Sequence, residues 1–213
     1  MTTFQTPAPI TVDVDVLSAS VTVIASDRAD TVVAVRPADA SKKGDVRAAE
    51  HTKVDLAAGT LTVKTPKDWR TYTPFGGNPT VEVIIEVPTG SGLKAIAGVG
   101  SLLGAGELGE CNLEIAAGDI VVEHPQGSVT AKVAKGDIRI GEATRGEIRL
   151  ETSMGELEVG IRAGSAARVQ TNTALGSVQN QLAPVDPAFS KDSVQVFARN
   201  SYGNIIIRHA NAA

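Results

Sequence analysis

From Gly100 to Gly203 the chain repeats one short pattern: a glycine, a short or acidic residue, an aliphatic residue, a spacer and usually a second aliphatic. The glycines stand at 100, 109, 118, 127, 136, 146, 155, 164, 176 and 203, so most steps are nine residues. The second position holds Ser101, Glu110, Asp119, Ser128, Asp137, Glu147, Glu156, Ser165, Ser177 and Asn204. The third holds Leu102, Cys111, Ile120, Val129, Ile138, Ile148, Leu157, Ala166, Val178 and Ile205. A fixed short period constrains a fold more than any other sequence feature, because each unit must pack against a copy of itself.

The residue two after each glycine is apolar and the residue four after it usually is, as in Ile120 and Val122, Ile138 and Ile140, or Leu157 and Val159. Side chains of a strand alternate with period two, so these pairs point to one side. The glycine and its polar follower supply a corner, where positive φ or close backbone approach is needed. Two arrangements fit: an antiparallel meander, or a parallel β-solenoid in which two units make one coil of about 18 residues. Uniform corners favour the solenoid, since a meander has no reason to make every turn alike. Ile120, Ile138 and Leu157 then form one inner ladder and Cys111, Val129 and Ile148 the opposite one. A left-handed hexapeptide helix would need an apolar residue every six positions. Stepping by six from Ile115 meets Gly127 and Arg139, which breaks that rule.

The first third is also strand-rich. Ile10, Val12, Val14 and Val16 alternate with polar residues, and 20–24, 31–35, 59–63 and 80–87 read as further strands. Residues 38–52 are polar, with room for one helical turn capped by Asp45 or for nothing regular. An excursion with Pro184 and Pro187 spans 181–192, before two final strands at 193–199 and 204–208. Without a domain-sized linker the expectation is one domain over 1–213, irregular over 1–90 and regular over 91–209. Aromatics are only 3% of the chain, so the core is built from Val, Ile, Leu and Ala in thin layers.

The run GDIVVEHPQGSVTAKVAKGDIRIGEATRGEIRLETSMGELEVG resembles the bacterial β-strand-repeat domains of unknown function named "putative adhesin". The resemblance covers most of the chain. It implies a right-handed β-solenoid-like fold, no catalytic residues and, in some members, a link to envelope stress.

Chemistry is sparse. Asp119, Asp137 and Glu156 stack along one corner, with Glu110 and Glu147 along the other. Calcium rolls also use nine-residue glycine repeats, but they place an Asp where this chain has an inward aliphatic residue, so no metal site is expected. The carboxylates read instead as solvated corners relieved by Lys135, Arg139, Arg145 and Arg149. Sugar-cleaving carboxylates need a cleft built by long loops, which the regular region lacks. His51, His124 and His209 are isolated, and with one cysteine they make neither a zinc cluster nor a triad. Cys111 sits at an inward position, as a buried structural thiol. Gly76-Gly77 lacks the Lys-Ser/Thr of a phosphate loop. No cofactor and no enzymatic activity are expected.

Net charge is −4 and the longest basic run is Lys42-Lys43, which argues against nucleic acid. The N-terminus lacks a basic leader and apolar h-region, and no stretch approaches the length of a membrane span, so a cytoplasmic chain is expected. Loop 68–75 holds Trp69, Tyr72 and Phe75, three of seven aromatics. They either cap an end of the core or stack on sugar rings or a partner protein. A solenoid cannot close on itself, and Ile205, Ile206 and Ile207 give the last strand apolar residues on both faces. Homo-oligomerisation through the terminal coils is expected there. The functional reading is thus a non-enzymatic scaffold or protein-interaction module, the alternative being a carbohydrate- or envelope-binding module working through loop 68–75.

Overall fold

The computed structural model describes residues 1–66, 79–182 and 192–210. Among them the chain is all-β apart from one helix, and its strands join into a single long sheet folded into two facing walls. The core lies between the walls.

The central strands are β2 (Thr11–Ser26), β7 (Gly92–Leu108) and β8 (Cys111–Pro125). Each runs along one wall, bends and continues along the other. Leu93 lies opposite Cys111 and Leu102 opposite Ile120, so from Leu93 to Gly104 the paired residues are eighteen positions apart, and a register shift shortens this to seventeen at Glu107 and Leu108. The next turns of chain are split into two strands each: β9 (Val129–Lys135) with β10 (Ile138–Ala143), then β11 (Gly146–Met154) with β12 (Leu157–Ile161). All of these pairings are parallel, which excludes the meander. Ile120, Ile138 and Leu157 are in register on one wall and Cys111, Val129 and Ile148 on the other, all 0–1% exposed. Each such Ile or Leu contributes about 1.5–3 kcal/mol by leaving water.

The bend explains the glycines. Gly100, Gly118, Gly136 and Gly155 have φ between 132° and 151°, a region that L side chains avoid. A Cβ on Gly155 would also sit 1.9 Å from the carbonyl oxygen of Gly136 in the neighbouring rung. The corner is therefore a spine of stacked glycines, and at Gly100 and Gly118 the strand passes through it unbroken.

The C-terminal rungs do not follow chain order. After β12 come β13 (Ala166–Leu175) and β14 (Val178–Asn180), and then β15 (Ser193–Tyr202) and β16 (Ile205–His209). The later pair is inserted between the earlier pairs: β15 bonds β11 and β13, and β16 bonds β12 and β14. This corrects the expectation that 204–208 ends the stack. Ile205 and Ile207 are fully buried with a strand on each side, Ile206 is half-buried on the outer face, and among the described residues the open edge belongs to β13 and β14. That last rung carries Thr171 where the inserted rung has buried Ala198, so its inner face is more polar at that position.

The other end is closed differently. On the first wall, β2 is flanked by β5 (Thr60–Lys64), which turns back into β4 (Lys53–Ala57). On the second wall it is flanked by β6 (Val81–Pro88), then antiparallel β3 (Asp30–Pro37) and β1 (Thr2–Gln5). The helix α1 (Lys43–His51) lays Ala48 and Ala49 against the core at this end. It occupies the segment where one turn or nothing regular was expected. Asp45 does not cap it: its carboxylate is buried and accepts from the backbone N–H of Thr80 (3.0 Å) and of Asp39 (3.2 Å), which anchors the helix to the sheet.

Candidate interaction surface

Alternation along each strand leaves half of the side chains on the outer faces of the walls, and register aligns them into rows. The two faces differ in chemistry. On the first wall, one row reads Lys64, Asp15, Ile96, Glu114, Lys132, Glu151 and Arg199, and alternates in charge almost throughout. Its neighbour runs through Asp13, Lys94, Asn112, Thr130, Arg149 and Phe197. Arg149 there stacks on the Phe197 ring at 4.8 Å and donates to Glu147 at 2.7 Å.

On the second wall the corresponding row reads Ala34, Ile84, Thr22, Leu103, Val121, Arg139, Glu158 and Ile206. Five adjacent strands thus present four aliphatic side chains and one threonine outward, and Ile24 and Ala105 extend the patch on the next row. Ile84, Leu103 and Val121 are half-buried and Ile24 is 36% exposed. Charged groups frame the patch. Toward the C-terminal rungs, Arg139 and Arg208 each place Nε 2.6 Å from a Glu158 carboxylate oxygen. Toward the N-terminal strands, Arg28 bridges Asp30 (2.8 Å) and Glu86, while Glu82 lies opposite Arg36. Hydrogen bonding to Asp30 and then to Glu86 raises the Arg28 pKa, and the same guanidinium lowers that of Asp30.

The corners do more than expose charge. Asp119 Oδ1 accepts from the backbone N–H of Asp137 (2.9 Å), Asp137 Oδ1 from Glu156 (2.7 Å), Ser128 Oγ from Glu147 (3.1 Å) and Asn204 Oδ1 from Ser177 (3.1 Å). Where the second repeat position is Asp, Ser or Asn, its short side chain brings an oxygen within reach of the amide of the same position in the next rung. A second ladder lies inside. Thr152, Asn200 and Thr173, each three residues before a corner glycine, donate to the carbonyls of Gly136, Gly155 and Gly203 at 3.1–3.3 Å. Sequence reasoning missed it. The available signal was the polar residues at a place that Ile115 and Val133 hold in earlier rungs, and Asn200 pointing back to Gly155 records the inserted order.

Trp69, Tyr72 and Phe75 lie outside the described residues. Ile205 and Ile207 belong to the core and present no surface. His124 Nδ1 lies 3.9 Å from Glu142, and His51 Nδ1 donates to the Arg47 carbonyl oxygen at 2.7 Å; the described residues hold no cluster of three or more His, Cys, Asp or Glu able to bind a metal ion. Burial pushes the Cys111 thiol up to about 12, so it stays protonated and inert at neutral pH. Among the described residues no helix is long and apolar enough to cross a membrane.

The same fold recurs in a protein from Clostridium sporogenes ATCC 15579 described as a "putative cell adhesion protein". It superposes with a TM-score of 0.58 at 13% identity, covering 98% of each chain. A "putative adhesin" from Bacteroides fragilis NCTC 9343 aligns with a TM-score of 0.43 at 12% identity, over 97% of this chain and 95% of that one. No curated protein matches the sequence. The model of the Toastrack DUF4097 family matches residues 104–211, the parallel rungs from the middle of β7 onward and just over half of the sequence. The chain belongs to the Toastrack DUF4097 family, whose function is not known.

Proposed function

We propose that this chain is a non-enzymatic interaction module: a right-handed β-solenoid of about 18 residues per coil whose second wall makes contact with protein. The observation that supports this is the chemical difference between the outer faces. A sheet that needed only solubility would carry alternating charge on both sides, as the first wall does. The second wall instead keeps Ile84, Leu103, Val121 and Ile24 outward on adjacent strands within a charged frame, an arrangement of apolar centre and polar rim suited to association. The cell-adhesion description of the C. sporogenes neighbour fits a contact role.

A photo-crosslinking amino acid placed at Thr22, inside the row, and at Thr130, on the first wall, tests the reading. Thr22 is expected to give covalent protein adducts and Thr130 few or none. Equal yields at the two positions, or none at either, would overturn it.

A further inference from the structure

The apolar row is matched by the charges around it in a way that names its occupant. We infer that a second copy of this chain packs on the second wall, face to face, about a two-fold axis through Leu103; the inference rests on the contact role proposed above. A two-fold interface is self-complementary: the strands to one side of the axis lie over the partner's strands from the other side. With the axis at Leu103, Thr22 meets Val121 of the other copy and Ile84 meets Arg139, following the order Ala34, Ile84, Thr22, Leu103, Val121, Arg139, Glu158. The Arg139 side chain, 60% exposed, then lies over β6, whose outward residues beside Ile84 are Glu82 and Glu86. Glu158 lies over β3, which carries Arg36. Each cation-bearing strand therefore meets an acidic one and the apolar centres meet each other, whereas a partner displaced by several strands would lose both matches.

The size is adequate. The seven strands from β3 to β12 span about 30 Å at ~4.8 Å per strand. With outer rows over ~20 Å of strand length, the face offers roughly 600 Å² per copy, near the lower end of what specific interfaces bury. Aligned packing of two sheets about 10 Å apart gives the geometry.

Light scattering after size exclusion at about 100 µM, with sedimentation equilibrium for affinity, tests the inference. The wild type is expected to be a dimer. Leu103→Asp should be monomeric, and Arg139→Glu, which changes an exposed side chain and spares the patch, should weaken the dimer at least tenfold. Glu82→Arg added to Arg139→Glu should recover most of that loss, since it restores opposite charges across the interface. Val178→Asp, on the open edge of β14, should leave the dimer intact. A monomeric wild type would overturn the inference. So would a dimer that Val178→Asp dissociates while Leu103→Asp and Arg139→Glu do not, because the stack's end would then be the interface. In either case Thr22 crosslinks to other proteins would leave the contact role standing; their absence would remove it separately.

Discussion

At the scale of single residues, glycine does two jobs here that separate cleanly. At Gly155 the backbone has φ 151° and a Cβ would collide with the Gly136 carbonyl, whereas Gly164 has φ 88° with nothing within 4 Å. Gly164→Ala therefore costs only the left-handed backbone penalty, about 1–2 kcal/mol. Gly155→Ala adds a clash with backbone that cannot move without breaking the ladder, and should exceed about 3 kcal/mol. Urea melts of the two variants decide: equal losses would mean that close approach between rungs does not matter. The sequence made the corner glycines visible through their period: eight of the ten have the positive φ expected there, and the other two, Gly109 and Gly127, show the close backbone approach that was the alternative. It did not reveal the acceptors at Asp119, Asp137, Ser128 and Asn204, because a hydrogen bond to a rung eighteen or more residues away has no local signature.

Among the elements, β15 and β16 are the informative pair. Local sequence makes them strands, and their apolar alternation matches that of any other rung. Only the register shows that they enter between β11–β12 and β13–β14. Hydrogen exchange should report it. Amides of β15 and β16 are bonded or shielded on both sides, while about half of those in β13 face no other strand among the described residues. The outward amides of β13 are expected to exchange much faster than those of Val194–Asn200 and Ile205–Ile207. The reverse order would place β16 at the end of the stack after all. The insertion also makes these contacts less local than those between the regular rungs: β13 and β14 meet partners 27 residues on, against 18 between β8 and its neighbours β9 and β10.

For the molecule as a whole, the parallel stack distributes stability along one axis, each rung resting on its neighbours. Asp119 and Asp137 each already engage one carboxylate oxygen with a backbone amide of the next rung. The melting temperature is therefore expected to be the same in excess chelator and in millimolar calcium. A large stabilisation by calcium would show that the corner carboxylates bind it in preference to the amides. Wall polarity is likewise a whole-molecule property. The row from Ala34 to Ile206 draws its members from eight strands spread over most of the chain, so no window of sequence contains it.

The sequence by itself determined the strand class, the inner ladders and the corners, because each depends on spacing within nine residues and side-chain alternation is a local property of the backbone. The expectation that Ile205, Ile206 and Ile207 would lie at an exposed end failed for the complementary reason. Which rung stacks on which is a choice among nearly equivalent apolar strands, and it is settled by long-range fit: Asn200 reaching Gly155, Thr173 reaching Gly203, and a last rung polar enough inside to end the stack. The tertiary structure alone decided that order, and with it which side chains share an outer face.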